Sequence, residues 1–228
     1  MTTLKRVLIL VEGQTEERFV RDVLMPEFTP LGLYFHPTLL KTKRVKDGSD
    51  FKGGVTHYAH FKGDLLRLLP SARDGIVTTL LDYYGLPGDF PGMSDRHSLH
   101  TPLERVLHVE QAIHDDISQP PNFVPFLALH EFEALLFSSP VELPNVLISP
   151  EKAASFSSIC SAFATPEDIN ENPDTAPSKR IKILFPDYKK TLHGPMTVTR
   201  IGLAAIRKVC PHLNQWLERL EAWAPKNI

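Results

Sequence analysis

Two runs in the chain, Val7-Leu8-Ile9-Leu10-Val11 and Ile76-Val77-Thr78-Thr79-Leu80-Leu81, are rich in β-branched residues and do not alternate with charged ones. A continuous run of this kind predicts a strand covered on both faces, as in a parallel sheet. Each run stops at a carboxylate, Glu12 in one case and Asp82 in the other. A third run, Phe123 to Leu129, ends at His130-Glu131-Phe132-Glu133, and Pro125 places it at an edge or a bulge because proline cannot donate to the ladder. Gly32-Leu33-Tyr34-Phe35-His36 reads as a further short strand. Between the strands the apolar period becomes helical. Phe19, Val20, Val23 and Leu24 follow the first strand; Tyr58, Phe61, Leu65, Leu68 and Leu69 define a helix over 56–69; Val106, Leu107, Ile113 and Ile117 are placed on one face of a helix over 103–117.

This alternation predicts an α/β fold: a mostly parallel sheet with helices on both faces. Past Pro140 the strands disappear, and 151–163, 178–185, 198–209 and 213–223 all carry helical patterns. Trp216, Leu217, Leu220 and Trp223 form an apolar stripe that is read as packing. The expected division is an α/β domain over 1–139 and a helical carboxyl-terminal subdomain over 140–228 packed on it. The twenty prolines punctuate these boundaries without gathering into a linker.

Composition narrows the function classes. Hydrophobic content of 42% and charged content of 23% are ordinary for a globular chain. No apolar stretch approaches the ~20 residues of a membrane span, and no cleavable signal pattern precedes the first strand, so a cytoplasmic protein is expected. Cys160 and Cys210 lack CxxC spacing and predict neither a disulfide framework nor a zinc site. A net charge of −2 argues against indiscriminate coating of nucleic acid but leaves local basic runs. Lys41, Lys43, Arg44, Lys46 and Lys52 fall in a polar, glycine-containing loop over 41–54, and Lys179, Arg180 and Lys182 form a second group. Either run is a solvated face or a contact for substrate phosphate. No GxxxxGK[ST] or GxGxxG motif occurs.

The chemistry is expected at the carboxyl edge of the sheet, where open α/β folds bind ligands. Neighbouring parallel strands lie ~5 Å apart, so Glu12, Asp82 and the Glu131/Glu133 pair can converge there, with Glu16 and Glu17 one helical turn beyond Glu12. Gly13 is expected to let the chain turn where a side chain would obstruct a ligand. Converging carboxylates must be protonated, paired with a basic residue, or neutralised by a metal ion. All-oxygen donors suit Mg²⁺ or Mn²⁺. The competing reading is that each acid caps the helix that follows it. Glu131 and Glu133, two apart, diverge on a helix; Glu131 is preferred for the site and Glu133 is assigned a pairing with Lys179 or Arg180. His57 and His60 have metal-binding spacing without an evident third ligand.

Leu10-Val11-Glu12-Gly13-Gln14-Thr15-Glu16 followed by a strand-final Asp82 resembles the topoisomerase-primase (Toprim) domain. With Asp82-Tyr83-Tyr84-Gly85-Leu86-Pro87, His130-Glu131-Phe132-Glu133-Ala134-Leu135, Pro177-Ser178-Lys179-Arg180 and His193-Gly194, nearly the whole chain resembles the bacterial DUF4276 group. The resemblance implies Mg²⁺- or Mn²⁺-dependent cleavage of DNA or RNA, with Glu12 as general acid/base or ligand, Asp82 as ligand, and Glu16, Glu131 or Glu133 completing the set. It also implies a partner ATPase of the ABC or SMC type, in phage defence or DNA repair. One departure is Tyr84, which stands where Toprim domains carry a second aspartate. That departure favours a different class of function, a non-catalytic subunit that docks on the ATPase. Phosphoryl chemistry on a nucleotide or small phosphate ester is a third reading. The letters leave oligomeric state open.

Overall fold

Side chains of successive strand residues point to opposite faces, so a strand that is apolar throughout needs a core on each side. A computed structural model of the chain describes residues 4–40, 55–169 and 174–225, and in it the sheet has two such cores. Its strands are β1 (Lys5–Val11), β2 (Leu33–Leu39), β3 (Ile76–Asp82), β4 (Phe123–Val124) and β5 (Leu127–Ala128). All pair in parallel, in the order β2-β1-β3-β4, with β5 also on β3. Val7, Ile9 and Val11 enter one core; Leu8 and Leu10 enter the other. The strand expected at Gly32 runs on to Leu39 through Pro37, which is tolerated because β2 lies at the edge of the sheet.

The third run lies at the edge of the sheet and is interrupted at Pro125 into β4 and β5, with the same register against β3 on both sides of the break. The ladder is repaired by side chains of β3. Thr78 Oγ1 donates to the Val124 carbonyl at 2.5 Å, and Thr79 Oγ1 donates to the Phe126 carbonyl at 2.7 Å while accepting from the Phe126 amide at 2.8 Å. Both threonines are buried, so their hydroxyls satisfy backbone groups that water cannot reach.

Ten helices surround the sheet among the described residues: α1 (Gln14–Phe19), α2 (Met25–Phe28), α3 (Tyr58–Leu68), α4 (Pro102–Asp116), α5 (Glu142–Val146), α6 (Ala153–Ser161), α7 (Pro177–Leu184), α8 (Lys190–Ile201), α9 (Leu203–Val209) and α10 (Pro211–Glu221). A π turn over Val20–Leu24 joins α1 to α2 just before Pro26, which has no amide to give the regular ladder. α3 and α4 supply Phe61, Leu65, Val106, Val109 and Ile113 to one core. Leu107 does not join that face. It is 43% exposed, because one position along a helix turns ~100°, and Val109 and the buried Glu110 take its place. α4 opens on a reciprocal cap, Thr101 with Glu104.

The other core takes residues from both halves of the chain, from Val7 to Leu220, so the carboxyl-terminal helices share it with the sheet. Trp216 stacks on Phe126 with ring centroids 4.3 Å apart and donates from Nε1 to Thr78 Oγ1 at 2.8 Å. The amino end of α10 is closed by a buried acid: Glu167 accepts the His212 and Leu213 amides, each at 2.9 Å. His212 Nε2 lies 3.1 Å from Glu110 Oε1, which also accepts the Leu127 amide at 2.8 Å. Burial opposes charge on His212, but the bond to Glu110, the charges of Glu110 and Glu167 and the Leu127 carbonyl together outweigh it and raise the imidazole's proton affinity. No helix among the described residues is long and apolar enough to cross a membrane.

One helical expectation is corrected in a way that shapes the site. The helical pattern over 198–209 is expected to begin at Val198. In fact α8 begins at Lys190 and contains Pro195, and α9 follows after Gly202, whose φ of 80° ends the helix. Pro195 cannot bond the Thr191 carbonyl one turn back, and Arg18 Nη1 of α1 donates to that carbonyl at 3.3 Å instead. A Cβ on Gly194 would stand 3.2 Å from the Tyr188 hydroxyl and 3.5 Å from Thr15 Cγ2. The Gly-Pro pair therefore lets α8 lie close against α1.

Candidate functional site

Because β1, β3 and β5 are parallel neighbours, their carboxyl ends open on the same edge of the sheet. Glu12 follows β1 directly, and its Oε2 accepts the Asp82 amide at the end of β3 at 3.2 Å. Asp82 Oδ1 accepts the Phe132 amide at 2.8 Å, which draws in the segment after β5. Glu16 projects from α1. Gly13 is extended, with φ −154° and ψ −171°, so the turn makes no demand on left-handed backbone. A Cβ there would stand 3.2 Å from Glu16 Oε2, so the Glu16 carboxylate would have to give by a few tenths of an ångström.

The segment Phe132–Ser138 is a 3-10 helix, and it separates the two acids that follow β5. Glu131 turns toward α7, where it accepts the Ser178 amide at 2.9 Å and the Ser178 hydroxyl at 3.2 Å. Glu133 turns inward and is 0% exposed. The preference for Glu131 over Glu133 is thus reversed in space, and the pairing of Glu133 with Lys179 or Arg180 is not formed. Lys179 is exposed, while Arg180 Nε donates to the Thr175 carbonyl at 2.7 Å and its guanidinium lies over Phe163. The run Lys41, Lys43, Arg44, Lys46 and Lys52 lies outside the described residues.

The partner of Glu133 is Lys190, the first residue of α8, which no sequence motif singles out. Its Nζ lies 3.1 Å from Glu133 Oε2, 3.3 Å from Asp82 Oδ2 and 3.8 Å from Glu16 Oε1. Only the approach to Asp82 has hydrogen-bond geometry. The contact with Glu133 is an ion pair at close range, and hydrogen bonding of the Glu133 oxygens to it and to the nearby buried Tyr188 hydroxyl is marginal. His130, also buried, has no partner for Nε2, and burial lowers its imidazole to about 4, so it is neutral at physiological pH.

Three acids, Glu16, Asp82 and Glu133, thus face one ammonium, and Glu12 lies beside them on the Asp82 amide. The repulsion is relieved by pairing and by protons: burial, then the charge of Asp82, pushes Glu12 up to about 8. Burial and Asp82 also raise Glu16. Burial, opposed by Lys190 and reinforced by Asp82, pushes Glu133 to about 7. Lys190 moves the other way: burial alone would lower it, but Asp82, Glu133 and Glu16 together hold it charged well above its ordinary value.

Whether this edge suits a divalent ion can be judged from its donors. They are all carboxyl oxygens, and when ionised they would bear more negative charge than Lys190 cancels, which fits a hard cation. Among the described residues, however, no three His, Cys, Asp or Glu side chains already stand arranged to hold a metal ion. The ammonium lies between them. His57 and His60 also fail to assemble a site: His57 Nδ1 lies 3.5 Å from Asp89 and His60 Nδ1 lies 3.5 Å from Thr56 Oγ1. Tyr84, 43% exposed, stands at the lip with its amide donated to the His130 carbonyl at 3.0 Å.

Residues 11–221 match the family described as a domain of unknown function, DUF4276. No curated protein and no solved structure matches the chain.

Proposed function

Starting from the chain's membership of the DUF4276 family, we propose that it is a Toprim-like, divalent-cation-dependent phosphodiester hydrolase acting on DNA or RNA. The observation that carries this reading is the gathering of buried carboxyl groups at the carboxyl edge, where Glu16, Asp82 and Glu133 surround a single ammonium with Glu12 beside them on the Asp82 amide, a set that only protons or a further cation can neutralise. Mg²⁺ or Mn²⁺ bound there would polarise a phosphate oxygen and acidify a water molecule. Glu12, Asp82, Glu16 and Glu133 are the residues that would hold it. Glu131 is left out of this set, since its oxygens accept the Ser178 amide and hydroxyl and no ion pair joins it to Lys190. Glu12, with a proton affinity near the working pH, is suited to take a proton from the attacking water or return one to the leaving oxygen. Exposed Lys179, next to Ser178, and Lys189, next to Lys190, would supply point charges for a phosphate backbone. A partner ATPase and a role in phage defence or DNA repair follow from the resemblance alone.

The test is incubation of the purified chain with plasmid DNA and with RNA in Mg²⁺ and in Mn²⁺. Cleavage should be lost in Glu12→Gln and Asp82→Asn, and cleavage that persists unchanged in both variants would overturn the assignment. A second reading, a non-catalytic docking subunit, is favoured by the ammonium already seated among the carboxylates and by Tyr84 in place of a second aspartate. It predicts no Mn²⁺ binding that depends on Glu12 and Asp82 in calorimetry.

A further inference from the structure

Lys190 makes a poor structural ion pair for so enclosed a position. A buried pair that serves stability needs good geometry and additional hydrogen bonds to offset desolvation. Here the ammonium has one long hydrogen bond, 3.3 Å to Asp82, and two contacts that satisfy charge only. Around it the Glu133 carboxylate and the Tyr188 hydroxyl, both buried, keep only marginal hydrogen bonding to each other and to the ammonium. The arrangement meets the electrostatic demand of the site while leaving part of its bonding capacity unused.

The lysine is also built to leave. It is the first residue of α8, and its side chain is 40% exposed although the ammonium is turned inward among the acids. Rotation about its own four side-chain bonds can carry the charge to water. α8 need not move, since Arg18 on the Thr191 carbonyl and the close seat of Gly194 hold it against α1 independently of Lys190. A divalent ion brought to Asp82 and Glu133 would meet a like charge there, so the two cations exclude one another.

We propose that Lys190 is a tethered counterion of the acidic edge: it occupies the site when no divalent ion is bound and is expelled to solvent when one enters. This rests on the divalent-cation reading of the same site. Its consequence is that ion affinity is set by competition with a residue of the chain itself, so a low ambient concentration of Mg²⁺ or Mn²⁺ leaves the site closed by its own lysine.

The experiment uses the full chain and Mn²⁺ alone. Calorimetry should show Lys190→Met, which keeps the apolar stem, binding Mn²⁺ at least tenfold more tightly than the wild type. In the wild type, amine-directed labelling read by mass spectrometry should find Lys190 protected without Mn²⁺ and severalfold more reactive at saturation, with exposed Lys189 and Lys179 unchanged as internal references. Equal or weaker binding by Lys190→Met would overturn the proposal, as would unchanged Lys190 protection at saturating Mn²⁺; if the variant does not fold, the labelling decides. Mn²⁺ binding abolished by Asp82→Asn but not tightened by Lys190→Met would sink the counterion and leave the cation site standing. Absence of any Asp82-dependent binding would remove both.

Discussion

At the residue scale the distinctive quantity is the proton held by Glu12. The folded chain keeps it up to about 8, whereas an ordinary glutamate releases it near 4.5, so between these values the folded state binds more protons than the unfolded one. Stability then falls as pH rises through that window, and Glu133, pushed to about 7, adds to the slope over its lower part. The metal-free protein should therefore lose stability between pH 4.5 and pH 8, by on the order of a few kcal/mol from Glu12. Urea titrations across this range would measure it, and Glu12→Gln should flatten the slope and be the more stable protein at pH 8. A bound divalent ion replaces the proton as neutraliser. The rise in Tm produced by Mn²⁺ should thus be larger at pH 8 than at pH 6, and a shift that is equal or reversed would show that the ion does not bind at these acids. Glu12 and Asp82 were legible in the letters because each terminates an unmistakable strand. Lys190 was not, because it reaches Asp82 across 108 positions and nothing in the local pattern marks it.

Among the elements, the broken third run shows how a strand with a proline is kept in a parallel sheet. Thr79 both donates to and accepts from Phe126, standing in for two ladder bonds beside Pro125. Thr79→Val retains the shape but leaves a buried amide and carbonyl unpaired, and should cost about 2–5 kcal/mol in chemical denaturation. The amino end of α10 offers a second case, since Glu167 accepts two of its amides from a buried position. Glu167→Ala should lower stability by about 1–2 kcal/mol, detected as a shift in denaturation midpoint with little change in its slope. The strands and α3, α4 and α10 were readable from period alone. The start of α8 was hidden, because Gly194 and Pro195 are breakers by propensity and are tolerated only where Arg18 takes the orphaned carbonyl and α1 demands a close approach.

On the scale of the whole molecule, the helices after Pro140 and the sheet before it share one core, in which Phe126 stacks on Trp216 and Val7 belongs to the same cluster as Leu220. A chain built this way should unfold in a single calorimetric transition with matching van't Hoff and calorimetric enthalpies, and a fragment of residues 1–139 should not fold alone; two separable transitions would contradict the shared core. The amino-acid sequence by itself determined the parallel α/β class and put Glu12 and Asp82 at strand ends on one edge of the sheet, because strand periodicity and strand ends are local properties. Only the tertiary structure decided that Glu133 and not Glu131 faces those acids, and that Lys190 lies among them. Both depend on how a 3-10 turn and a distant helix are packed, and packing is set by volume and charge balance across the core, which no local pattern encodes.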